Sequence, residues 1–67
     1  MHNFTIVSVP DAAEFYKYWI VKSIGEHSFE YHAGFLTKED ALEAFAQCDD
    51  SMKLLSNDGS TRKLVNE

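Results

Sequence analysis

The sequence predicts an α+β domain: an antiparallel sheet of three to five strands with one α-helix packed across one face, in the order β-β-β-α-β-β. Three observations carry this. Aromatic and β-branched residues alternate with period two over residues 15–23 and 28–36, which marks two strands joined by a loop of hairpin length. Thr37-Lys38-Glu39-Asp40 follows with the form of a capped helix start. With 67 residues the chain can build one hydrophobic core and no second one, so residues 1–67 form a single domain.

Residues 3–9 are short, β-branched and aromatic, and Pro10-Asp11 stops them as a first strand. Ala12-Ala13-Glu14 is a connector with the composition of a helical turn. In the strand over residues 15–23, Phe15, Trp19 and Val21 fall on one face and Tyr16, Tyr18 and Ile20 on the other. Gly25 sits in the following loop, free to adopt positive φ. The next strand places Phe29, Tyr31, Ala33 and Phe35 on one face and Glu30, His32 and Gly34 on the other, the pattern of a sheet covered on one side.

In the helix, Ala41, Leu42, Ala44, Phe45 and Cys48 cluster on one side, while Glu39, Glu43 and Gln47 project from another. The Leu42 and Phe45 side is expected on Trp19, Phe29 and Phe35, which leaves Tyr16 and Tyr18 on the sheet face away from the helix. Asp49-Asp50-Ser51 ends the helix, and residues 52–56 read as a strand. Asn57-Asp58-Gly59-Ser60 is a turn, because Asn and Gly tolerate left-handed backbone, and residues 61–65 return as a terminal hairpin.

Composition narrows the function classes. The formal net charge is −5, and Glu39, Asp40, Glu43, Asp49 and Asp50 concentrate it with only Lys38 nearby. Nucleic-acid binders show the reverse balance, since counterion release from phosphates supplies most of their affinity. Direct binding of DNA or RNA is therefore disfavoured, and a basic protein surface becomes the expected partner. The longest apolar run, Trp19-Ile20-Val21, is far too short to span a bilayer. One cysteine, Cys48, excludes an internal disulfide. The start of the chain lacks a secretory signal pattern. The expected location is the cytosol.

Candidate chemistry is sparse. His27 and His32 stand five apart across a loop and a strand, so they do not converge as the i, i+4 histidines of a helical zinc motif do. No metal and no cofactor is expected. Cys48 lies on the apolar stripe beside Phe45 and reads as a small core residue. No phosphate loop, nucleophile elbow or catalytically spaced carboxylate pair is present, so the chain reads as non-enzymatic. The candidate partner-binding residues are the acids Glu39, Asp40, Glu43, Asp49 and Asp50, with Glu30, the tyrosines Tyr16 and Tyr18 as rigid aromatic anchors, and the cations Arg62 and Lys63.

Residues 18–43 carry a resemblance. Trp19, Glu26-His27-Ser28-Phe29-Glu30, Thr37, the pair Glu39-Asp40 and Ala41-Leu42-Glu43 resemble the small inhibitor with which a short-tailed coliphage blocks the host RNA polymerase. The resemblance implies a three-stranded antiparallel sheet crossed by one helix, binding at the polymerase jaw, an acidic strip that disturbs the DNA channel, and arginines on the last strand. Those arginines have no counterpart in Met52-Lys53-Leu54-Leu55, and Arg62 and Lys63 are the nearest substitutes. The expectation is a phage-type inhibitor of a host protein machine in the bacterial cytosol, acting as a monomer or weak homodimer. An anti-CRISPR or anti-restriction protein that mimics nucleic-acid charge is one alternative. An assembly module that dimerises through a strand edge is another.

Overall fold

A computed structural model describes residues 4–58 and 61–65. The elements run β1 (Thr5–Val7), a 3₁₀ turn (Asp11–Phe15), β2 (Tyr18–Ser23), β3 (Ser28–Phe35), α1 (Lys38–Phe45), β4 (Met52–Asn57) and β5 (Arg62–Leu64). The α+β class and the element order agree with the sequence reading. Asn3, the expected start of the first strand, and Gly59-Ser60 of the expected turn lie outside the described residues.

The five strands form one sheet in the order β1-β3-β2-β4-β5. The β2/β3, β2/β4 and β4/β5 pairs are antiparallel, but β1 lies parallel to β3, with Thr5 opposite Ser28 and Val7 opposite Glu30. The sheet is thus mixed rather than wholly antiparallel. Parallel neighbours cannot be joined by a hairpin; here residues 8–17 cross over to β2, and β2 returns the chain so that β3 runs beside β1 in the same direction. Ser8 turns the chain off β1 at φ 60, a left-handed value unusual for a residue with a side chain. The segment then passes over β3 on the face opposite the helix and enters β2 through the 3₁₀ turn. Phe15 belongs to that turn and is 78% exposed, not the first inward residue of β2.

Two apolar clusters follow, one on each side of the sheet. Trp19, Val21, Phe29 and Leu55 join Ala13 of the crossover, with Phe4, Ile6, Val9, Tyr16 and Tyr31 packed around them. Ile20, Met52 and Leu54 join Ala41 of the helix, with Tyr18, Phe35, Leu42, Phe45 and Cys48 around them. The helix therefore covers the Ile20 side. Phe35 is a neighbour as expected, but Trp19 and Phe29 belong to the opposite layer, where crossover and aromatic rings cover them.

A bulge explains why β3 serves both layers. Ile20 stands opposite Ala33 and Val21 opposite Tyr31, so His32 is the extra residue. An inserted residue shifts the alternation by one. Phe29 and Tyr31 consequently join Trp19, whereas Phe35, opposite Tyr18, joins the helix layer.

Local chemistry fixes the ends of the elements. The Thr37 hydroxyl accepts from the Asp40 N–H at 3.2 Å, capping α1 at the position its sequence indicates. The Trp19 indole N–H donates to the Ala13 carbonyl at 2.8 Å, which also accepts the Tyr16 N–H at 3.0 Å. These two bonds pin the 3₁₀ turn onto the sheet. Asn57 donates its side-chain amide to the Tyr16 carbonyl at 2.9 Å and holds the start of β2 from the other side.

Candidate functional site

The acids take their positions from the helix and its exit. Glu39 and Asp40 occupy the first turn of α1, where the positive end of the helix dipole favours them. Glu43 follows one turn after Glu39. Asp49 and Asp50 lie beyond the C-terminal end, roughly 12 Å away along an eight-residue helix at 1.5 Å per residue. All five are exposed. They run from the first turn of the helix to just past its end rather than converging on one point.

Structural roles account for only part of the strip. Asp49 accepts both the Ser51 hydroxyl (2.5 Å) and the Ser51 N–H (3.0 Å) on Oδ1. These bonds, the hydroxyl first, and the nearby Lys22 charge hold its carboxyl below the ordinary range. Glu43 and Asp50 make no side-chain hydrogen bond among the described residues. Asp50 and Asp49 also stand at the negative end of the dipole, with no basic residue in the last turn of α1 to offset them. Folding stability alone gives no reason for Asp50.

The remaining candidates disperse. Glu30 is exposed on β3 opposite Lys22, a cross-strand pair of opposite charge on the helix side of the sheet, where Lys22 also lies near Asp49. Tyr16 and Tyr18 are half-buried in opposite layers, Tyr16 beside Trp19 and Tyr18 on the helix side. They do not form the shared outer face expected of them, because Tyr16 precedes the regular strand and escapes its period. Lys63 is exposed opposite Ser56. Ser56 also pairs with Tyr18, so Lys63 and Tyr18 share a face and line one open cleft, while Tyr16 lies on the other side of the sheet.

Arg62 has a specific partner. Its guanidinium carbon lies 5.0 Å from the centre of the Trp19 ring, a cation–π contact. The register brings them together: Leu55 pairs with both Trp19 and Leu64, and Arg62 is two positions before Leu64 on the same face. The contact borders an open cleft of about 470 Å³ whose walls include Phe4, Ile6 and Val9 and whose rim carries Asp11 and Glu14 of the 3₁₀ turn. The sequence reading gives Asp11 only as part of the stop of the first strand and Glu14 only as connector. Nothing local marks them, since their relation to Arg62 exists only once β4 separates β2 from β5.

His27 is exposed in the β2–β3 loop and His32 is exposed at the bulge. Among the described residues no three His, Cys, Asp or Glu side chains are grouped to hold a metal ion. Cys48 is half-buried, with its thiol donating to the Ala44 carbonyl at 3.5 Å, which fits the small core residue expected of it. No helix among the described residues is long and apolar enough to cross a membrane.

No family model, curated protein or solved structure matches the chain. The functional reading accordingly rests on the residues.

Proposed function

We propose that this protein is a small acidic, non-catalytic inhibitor of the phage type, which binds a basic surface of a host protein machine. Bacterial RNA polymerase is the first target to test, on the resemblance of residues 18–43. The observation that carries the reading is the exposed strip of Glu39, Asp40, Glu43, Asp49 and Asp50, which continues past the point where the helix dipole favours acids. Such a strip steers a basic partner and fixes orientation more than it adds affinity. Charge mimicry of nucleic acid, as in an anti-CRISPR or anti-restriction protein, uses the same strip on another groove. Dimerisation through a strand edge has less support, because β1 and β5 are three residues long and offer few free backbone groups.

Capture from bacterial lysate followed by mass spectrometry identifies the partner. Reversing Glu39, Glu43 and Asp50 to Lys should then slow association, with folding little changed at these exposed sites (within about 0.5 kcal/mol each). Wild-type association should fall steeply with salt as the Debye length shrinks from about 10 Å at 0.1 M. A triple variant that associates as fast as wild type at low salt removes the basis of the reading.

A further inference from the structure

The cleft beside Trp19 lies on the sheet face opposite the acidic helix and plays no part in the proposal above. Its composition is that of a cation receptor. Trp19 forms its base, two carboxylates, Asp11 and Glu14, stand at its rim, and apolar side chains including Phe4 and Ile6 close its sides. Its volume of about 470 Å³ falls within the range of about 300–1,000 Å³ usual for sites that hold a small group. One guanidinium is already there. Arg62 lies over the indole at 5.0 Å and, with the crossover and the Tyr31 ring, leaves Trp19 0% exposed.

We infer that this cleft is a receptor for one arginine side chain of a partner protein, and that Arg62 is its stand-in in the free protein. Three features favour the exchange. Arg62 is carried on β5, three exposed residues at the edge of the sheet, so moving its side chain disturbs no core. The receptor walls are held independently of it, because the indole N–H bond to the Ala13 carbonyl fixes the 3₁₀ turn that carries Asp11 and Glu14. A guanidinium, unlike an ammonium, is planar and weakly hydrated, so it can stack on the indole and present its edge donors to carboxylates. Charge complementarity thus selects a basic partner residue, and the ring selects arginine over lysine.

The chain's one tryptophan provides the readout. A short peptide with a single arginine, capped at both ends, is titrated against the full chain while indole fluorescence is followed. Citrulline and lysine versions of the same peptide serve as controls. The arginine peptide should give a weak but saturable change, the lysine peptide a weaker one, and the uncharged citrulline peptide none. Arg62→Ala empties the receptor and should bind the arginine peptide about two- to fivefold more tightly. That factor corresponds to freeing an exposed cation–π contact of about 0.5–1 kcal/mol at 1.4 kcal/mol per decade. Asp11→Asn with Glu14→Gln should weaken binding several-fold with the melting temperature kept, both residues being exposed. Equal response to citrulline, a response that never saturates, or an Arg62→Ala variant that binds no better than wild type would each overturn the inference. The helix charge reversals should leave this titration unchanged, so the two proposals fail separately.

Discussion

Gly34 is the position at which one added methyl group should cost most. It lies opposite Trp19 on β3, and the rings of Tyr16 and Tyr31 close over it. A Cβ built there would stand 2.5 Å from Tyr31 Oη and 2.6 Å from Tyr16 Cγ, with Tyr16 Cδ2 also in contact. Carbon atoms pack at about 3.5–4.0 Å, so the Tyr16 ring would have to move by roughly 1 Å. Its backbone resists, because the Tyr16 N–H is bonded to Ala13 and its carbonyl to the Asn57 amide. Overpacking of this kind costs about 1–3 kcal/mol, and the pinned backbone places Gly34→Ala in the upper half, about 2–3 kcal/mol. A 67-residue domain has about 3–10 kcal/mol of stability in all. At about 4–8 °C per kcal/mol for a chain of this size, the melting temperature should drop by roughly 8–24 °C. Thermal unfolding followed by circular dichroism measures it. In a Tyr16→Ala background the penalty for Gly34→Ala should shrink, since the ring that has to move is gone. An unchanged melting temperature in the single variant, or an equal penalty in both backgrounds, would refute the packing of Tyr16 on Gly34.

Further outcomes test the fold and its charges. Thr37→Ala should destabilise by about 1 kcal/mol in chemical denaturation, the usual cost of losing a side-chain cap. Trp19→Phe removes the indole donor to the Ala13 carbonyl and should cost at least about 1 kcal/mol, with faster hydrogen exchange at the Tyr16 amide. Ser51→Ala should raise the Asp49 pKa toward the ordinary carboxylate value in an NMR titration, since the Ser51 hydroxyl is the main cause of its depression. The folded-state value lies below the unfolded one, so the Asp49 contribution to stability is present above the unfolded pKa and is lost as pH falls through the folded value. Ser51→Ala should flatten that acid limb.

What could be read from the sequence was mostly local. The Thr37 cap, the helix it starts, the β2–β3 hairpin and the order of elements depend on neighbours in the chain, and each appears in the structure where its residues indicate. The assignment of faces depended on an unbroken period of two, and His32 breaks it. Phe29, Tyr31 and Phe35 look equivalent in sequence, yet the bulge divides them between two layers. The parallel placement of β1 was equally hidden, because no residue of that strand encodes whether its partner is β2 or β3. Of the candidate site, the acidic strip was legible since exposure follows from charge and helical position. The Arg62–Trp19 contact was not, since it rests on a register set by two intervening strand pairings.

The parallel seating of β1 has a consequence for how the molecule is made. Of the described elements β1 is synthesised first, but the strand it pairs with, β3, emerges after β2 and the hairpin loop. The β1 segment must therefore wait, with Phe4, Ile6 and Val9 lacking their packing partners, until β3 exists. The hairpin and the helix, joined by nearby contacts, can assemble sooner, because closing a short loop costs less entropy than closing a long one. Folding should then end as residues 4–17 are drawn across the finished hairpin, and unfolding should begin with their release. In native-state hydrogen exchange the amides of Thr5 and Tyr16, bonded to the His27 and Ala13 carbonyls, should open together and before those of the β2–β4 ladder. The indole of Trp19 would darken or brighten at that same step, a clock for the last event of folding.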